Sequence, residues 1–153
     1  MKKLLLILLC FPLLVFSQEE KRLALVIGNA NYDKGELDNP VNDALLVAKT
    51  LEDLDFDVIL DTNLSNRSAL NNSIKEFGQR RDDYDVGFVY YAGHGIQINS
   101  TNYLLPTKVA FESVYDVQDN AVSVQNIMRY LTSATDQVNV LILDACRDNP
   151  FEG

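Results

Sequence analysis

Val86-Gly87-Phe88-Val89-Tyr90-Tyr91-Ala92-Gly93-His94-Gly95 is the stretch that decides how this chain folds. Residues 86–92 form an apolar run with no polar alternation. Such a run reads as a strand buried on both faces, the kind that parallel sheets are made of. It closes on a glycine, a histidine and a second glycine, and His94 is the only histidine in the sequence. A second apolar run, 138–143, closes in a similar way on Asp144-Ala145-Cys146-Arg147. Two buried strands thus each carry one reactive side chain at the C-terminal end. In open α/β sheets ligands bind outside that end. The expectation is a dyad of Cys146 and His94.

Upstream, apolar runs at 23–27 and 56–60 predict two more strands, the first closed by Gly28. Between them lies a polar loop, 28–38. Asn39-Pro40 then opens a helix, with Asn39 as N-cap and Pro40 at the first helical position. Ala44, Leu45, Ala48 and Leu51 keep helical spacing. Leu70, Ile74 and Phe77 predict a second helix, capped by Ser65 or Asn66, and Val124, Ile127, Met128 and Leu131 predict another. Short extended pieces at 96–98 and 103–105 suggest a hairpin, ended by Pro106. Alternating strands and helices imply an α/β domain with a mainly parallel sheet covered on both faces by right-handed crossovers. The chain ends shortly after Cys146, so the fourth strand is expected to be an open edge, completed by a second piece or left open in a fragment.

The N-terminus reads as a targeting segment. Lys2 and Lys3 precede an apolar run over 4–16, and Ser17 is a small residue at the cleavage position. Residues 1–17 are expected to be a signal peptide, leaving Gln18 first in an exported domain over 18–153. The run falls short of the ~20 apolar residues of a membrane-spanning helix, although an uncleaved anchor is the alternative. Cys10 follows Leu9 rather than a small residue, which argues against lipid attachment.

Cleavage would remove two lysines and take the formal charge from −9 to −11. An acidic domain lacks the clustered Lys and Arg that nucleic acid demands, and it favours basic ligands. Cys146 would then be the sole cysteine, so no internal disulfide can form even in an oxidising compartment. Gly28 and Gly35 do not make a dinucleotide fingerprint, and one His with one Cys cannot build an ordinary zinc site. Asp82, Asp83 and Asp85 could attract calcium; a solvated acidic turn is the plainer reading.

A cysteine nucleophile needs a thiolate and a nearby proton acceptor. His94 can take the thiol proton and later protonate a leaving amine. Glycines on either side of it allow a sharp turn and close approach to a substrate. Taken singly, His94 reads as a strand-end residue and Cys146 as a small buried hydrophobe. Taken together, at the ends of two strands, they point to catalysis.

Tyr90-Tyr91-Ala92-Gly93-His94-Gly95 with Asp144-Ala145-Cys146-Arg147 resembles the caspase-like cysteine peptidases, closest to the metacaspase and paracaspase types. Ile27-Gly28-Asn29 and Asn39-Pro40-Val41-Asn42-Asp43-Ala44 resemble the start of that family's large-subunit domain. The resemblance covers nearly all of residues 23–153. It implies a three-layer α/β/α sandwich without the strands of the small subunit, which would leave independent activity open. It implies a His94/Cys146 dyad, an oxyanion hole from the N–H groups of Gly95 and Cys146, and substrate-binding residues Asp43, Ala92 and Asp144. Animal caspases have Gln and Gly where this chain has Asp144 and Asp148, and they cleave after Asp. The types with an acid at the Asp144 position cleave after Arg or Lys. Two carboxylates in one pocket would select a basic side chain. The plainer alternatives are a helix N-terminal charge for Asp43 and a strand-end turn for Asp144. The expected partner is therefore a protein or peptide with a basic cleavage residue, with a small-subunit segment or second copy as a further partner, and neither nucleic acid nor membrane. No cofactor is expected, calcium activation being the one alternative. Two rival readings stand: a non-catalytic interaction module using the open sheet edge, and another thiol hydrolase or transferase on a similar sheet.

Overall fold

The computed structural model describes residues 20–132 and 137–145. The expected signal segment and Cys146 lie outside these residues. The element order is β1 (Arg22–Gly28), α1 (Pro40–Glu52), β2 (Phe56–Thr62), α2 (Arg67–Arg80), β3 (Val86–Ala92), β4 (Gly95–Ile98), β5 (Thr101–Leu104), α3 (Val114–Asn120), β6 (Val122–Ser123), α4 (Val124–Leu131) and β7 (Val138–Asp144). A single 3-10 turn, Arg81–Asp83, joins α2 to β3.

The main sheet has the order β2-β1-β3-β7, and its three pairings are all parallel. β1 is central and its residues 23–27 are fully buried, as a continuous apolar run requires. Alternate side chains feed two cores. Ala24, Val26, Tyr90 and Ala92 pack under Ala44, Ala48 and Leu51 of α1. Leu23, Leu25, Ile27, Val89 and Tyr91 pack under Leu70, Ile74 and Phe77 of α2 and Ile127 and Leu131 of α4. These helices on opposite faces of a parallel sheet make the expected α/β sandwich. A second, small sheet, β4-β5-β6, is antiparallel and begins with the predicted hairpin.

β2 and β7 are the two edge strands of this sheet among the described residues; β7 is the one left uncovered. On the α1 side its Val138, Val140 and Ile142 remain exposed, while Leu141 and Leu143 pack into the other core. α1 lies over β1 and β2 and does not reach far enough to cover β7.

Local chemistry accounts for the helix ends and corrects several expectations. Asn66 caps α2, its side-chain oxygen accepting from the Ala69 N–H at 3.0 Å. Asn39 precedes α1 but makes no side-chain cap, because its own backbone is already helical (φ −101°, ψ −28°). Pro40 at the first position and Asp43 in the first turn mark that start instead. Leu45 and Met128 were expected on apolar stripes, yet Leu45 is 48% and Met128 39% exposed; each sits just off the stripe made by its neighbours. α3 and β6 were not expected at all. Among the described residues no helix is long and apolar enough to cross a membrane.

Candidate active site

The C-terminal ends of β1, β3 and β7 converge on one rim. In register, Gly28 faces Ala92 and Ala92 faces Asp144. Asn29 ties the rim together from full burial. Its N–H donates to the Ala92 carbonyl (2.8 Å), its amide Nδ2 donates to the Leu105 carbonyl (3.1 Å) and its Oδ1 accepts from the Leu64 N–H (2.9 Å). A buried amide satisfied this completely fixes three loops at once.

The turn that carries His94 is held as firmly. Gly93 has φ +153°, and a Cβ there would lie 2.6 Å from the Tyr32 hydroxyl and 2.9 Å from that of Tyr91. Only glycine fits. The next residue, His94, donates its backbone N–H to the Tyr32 hydroxyl at 2.8 Å. Its carbonyl accepts from the Tyr91 hydroxyl, also at 2.8 Å. Burial raises the Tyr32 phenol pKa above its ordinary value and that of Tyr91 well above it, so both stay protonated donors.

The imidazole itself sits against the Tyr32 ring, centroids 4.3 Å apart. Its Nε2 lies 2.6 Å from the Gly35 carbonyl. A carbonyl can only accept, so Nε2 carries the proton and, in the neutral ring, Nδ1 is left as the acceptor. The arrangement is that of a base oriented by a third group. It strengthens when the ring becomes positive, because a charge-assisted hydrogen bond is about twice as strong as a neutral one. Gly35 has φ +75°, and a Cβ there would stand 3.1 Å from Nε2.

Beside His94 opens a cleft of about 670 Å³, lined among others by Glu36, Asp38, Asp43, Ala92, His94 and Asp144. The three expected substrate-binding residues, Asp43, Ala92 and Asp144, therefore do share one cavity with the expected base. Among the described residues none that lines it is Lys or Arg, and none of its four carboxylates takes part in an ion pair. Asp43 and Asp144 both act on Tyr90: burial, then the charge of Asp144, then that of Asp43, raise its phenol pKa. The Tyr90 hydroxyl donates to Asp144 Oδ2 at a long 3.4 Å.

Gly95 stands apart. It opens β4 opposite Leu104 and lines a narrow neighbouring crevice with Leu143 and Ala145. Cys146 lies outside the described residues, immediately after Ala145, which lines both the cleft and the crevice. Asp85 is occupied by the Lys21 backbone N–H at 2.8 Å. Among the described residues no group of three or more His, Cys, Asp or Glu is placed to hold a metal.

Sequence reading missed Glu36 and Asp38, which line the cleft, and Tyr32 and Gly35, which hold the imidazole. The loop 28–38 reads only as polar. The one usable signal was Asp33-Lys34-Gly35, a turn with glycine at a position suited to positive φ.

The model of the caspase domain matches residues 21–153. Over 127 residues, 82% of this chain, the sequence is 32% identical to the human "mucosa-associated lymphoid tissue lymphoma translocation protein 1", and equally so to its mouse homologue. The chain spans about 15% of the length of each of these relatives. Among solved structures, protein GSU0716 from Geobacter sulfurreducens matches with a TM-score of 0.62, covering 82% of this chain and 50% of that one. At 18% identity that match speaks for the fold alone. With the family match running from β1 to the last residue, this chain belongs to the caspase domain family.

Proposed function

We propose that this chain is the catalytic large-subunit part of a cysteine endopeptidase that cleaves after Arg or Lys. Cys146 is the nucleophile. Its proton passes to Nδ1 of His94, and the thiolate attacks the carbonyl carbon of the scissile bond. The N–H groups of Gly95 and Cys146 receive the oxyanion. The C–N bond breaks as the imidazolium protonates the leaving amine, giving an acyl thioester. Water, deprotonated by His94, then hydrolyses the thioester and restores the thiol. The Gly35 carbonyl steadies the ring while it is positive. The reaction draws on no cofactor or metal.

One observation carries the specificity: a cleft rimmed by His94 and lined by Asp43, Asp144, Glu36 and Asp38, with no basic residue among the described ones. An Arg entering it meets several carboxylates of one sign, and its planar fork can pair with one of them through two hydrogen bonds. An Asp would meet only like charge. Peptides with Arg at the cleavage position should be hydrolysed far faster than those with Asp. Replacing Asp144 by Asn should lower kcat/KM for Arg peptides about tenfold to a thousandfold, ~1.4–4 kcal/mol. A folded enzyme that prefers Asp, or keeps its Arg preference without Asp43 and Asp144, would sink this reading.

A second reading has its own support. The exposed Val138, Val140 and Ile142 on edge strand β7 suit completion by a small-subunit segment or a second copy, and such a surface could serve an interaction module without catalysis. Failure of Cys146 to react with peptide electrophiles would favour it. The domain is further proposed to act after export, with Gln18 as its first residue; an intact Met1 in the exported fraction, by mass, would contradict this.

A further inference from the structure

His94 is shared by two cavities of different chemistry. The acidic cleft lies to one side. To the other lies a cavity of about 210 Å³ walled by Tyr32, Leu105, Thr107, Val109, Ala110 and Phe111, with Asp33 and Lys34 at its edge. The loop between them crosses at Gly35, whose carbonyl holds Nε2. Asp33 and Lys34, before the crossing, line this second cavity, while Glu36 and Leu37, after it, line the acidic cleft. The imidazole is thus the partition between an acidic compartment and a largely apolar one.

Chemistry gives the two compartments different occupants. In the proposed reaction the imidazole protonates the leaving amine, so the chain carrying that amine must depart past the ring. The side before the scissile bond is taken by the acidic cleft. We propose that the cavity of Tyr32, Leu105, Val109 and Phe111 receives the side chain of the residue immediately after the scissile bond, and that it selects an apolar residue there. This inference rests on the peptidase reading above. The cavity falls below the ~300–1,000 Å³ of sites for drug-sized ligands and suits one side chain. Of its two rim charges, Asp33 is paired with Lys108, Nζ to Oδ1 at 2.7 Å, and Lys34 is exposed to solvent. Thr107 is buried, and its backbone N–H donates to the Leu64 carbonyl at 2.9 Å.

The test uses internally quenched peptides with Arg before the bond and Leu, Val, Phe, Gly, Asp or Lys after it, hydrolysed by the full-length protein. Leu, Val or Phe should exceed Gly, Asp and Lys in kcat/KM by about tenfold or more, the range an apolar pocket can discriminate. Val109→Arg, at a half-buried wall position, should abolish that preference, bringing kcat/KM for the Leu, Val and Phe peptides down to the level of the Gly peptide. An enzyme that cleaves all these peptides at equal rates would overturn the subsite and leave the peptidase reading standing. A preference that survives Val109→Arg and Ala110→Arg alike would overturn this location for it. No hydrolysis of any peptide by folded protein would overturn the peptidase reading, and the subsite with it.

Discussion

Replacing Gly35 by Ala tests whether the loop carbonyl governs the imidazole. Two costs can be worked from the geometry. Gly35 sits at φ +75°, a conformation that costs an L side chain roughly 1–2 kcal/mol. The new methyl carbon would also stand 3.1 Å from His94 Nε2, so the ring or the loop must give way. Either movement lengthens the 2.6 Å contact between Nε2 and the Gly35 carbonyl. A hydrogen bond to a charged group contributes ~1.5–3 kcal/mol, and the proposed reaction places a positive charge on the ring. The loss should therefore fall mainly on kcat, about tenfold to 150-fold, with KM little changed. Thermal unfolding should show a separate loss of ~1–2 kcal/mol from the backbone strain. Gly35→Asn separates the two effects. Asn tolerates the left-handed region better, so it should recover part of the stability while its Cβ still presses on the ring and the rate stays low. Steady-state kinetics with an Arg peptide and a melting curve are sufficient. A Gly35→Ala protein that keeps wild-type kcat would refute the orienting role of the carbonyl, whatever its stability.

Two further predictions probe the scaffold. Tyr32→Phe strands the partly buried His94 N–H that now donates at 2.8 Å and should cost ~1–3 kcal/mol of stability, read by denaturant titration. In the wild type, burial raises the pKa values of Tyr32 and Tyr91. Their contribution is therefore complete below the unfolded phenol value of ~10 and is lost as pH rises through the folded values. Unfolding midpoints that do not fall in strong alkali would contradict this. Gly87→Ala should destabilise severely, by ~3 kcal/mol or more, because its Cβ would collide with the buried Arg81 guanidinium and break a clamp joining the turn before β3 to β7. That guanidinium donates Nε to Asn139 Oδ1 at 3.0 Å, Nη2 to the same oxygen at 2.7 Å and Nη1 to the Tyr84 carbonyl at 2.5 Å. A melting temperature within a degree of wild type would refute the clamp.

What the sequence revealed follows the length and continuity of its apolar runs. The run 86–92 coincides with β3 as observed, because a strand buried on both faces leaves no ambiguous polar positions; 138–143 differs from β7 by one residue, its length giving it away although its Val138, Val140 and Ile142 stay exposed. α3 escaped notice because only Val117 of its seven residues is buried, too little for a periodic stripe. A signal was there: the Ser113 side chain accepts from the Asp116 N–H, and the Asp116 carboxylate accepts from the Ser113 hydroxyl, a cap readable as Ser-x-x-Asp. Leu45 and Met128 show the limit of counting apolar residues, since helical spacing tolerates an exposed one at the border of a stripe. At the site, His94 stood out by its flanking glycines, while Asp43 and Asp144 were singled out by the family resemblance and not by their local pattern, which reads as a helix start and a strand end. Tyr32, Gly35, Glu36 and Asp38 were not legible, because a loop has no period and its contacts are set by where three strand ends happen to meet. The pairing of Tyr32 with Tyr91 spans 59 residues of sequence, and the contact of Gly35 with His94 likewise spans 59.

The central claim is that Cys146 is a nucleophile activated by His94 and served by an acidic pocket. The most direct measurement is the rate at which an Arg-terminated peptide electrophile modifies the full-length protein, with intact mass and peptide mapping to locate the adduct. The account predicts a single adduct on Cys146, formation at least tenfold faster than with an Asp-terminated electrophile, and a rate about 10²–10⁴-fold lower in His94→Ala. Modification of Cys146 at the same rate with or without His94, in folded protein, would contradict it.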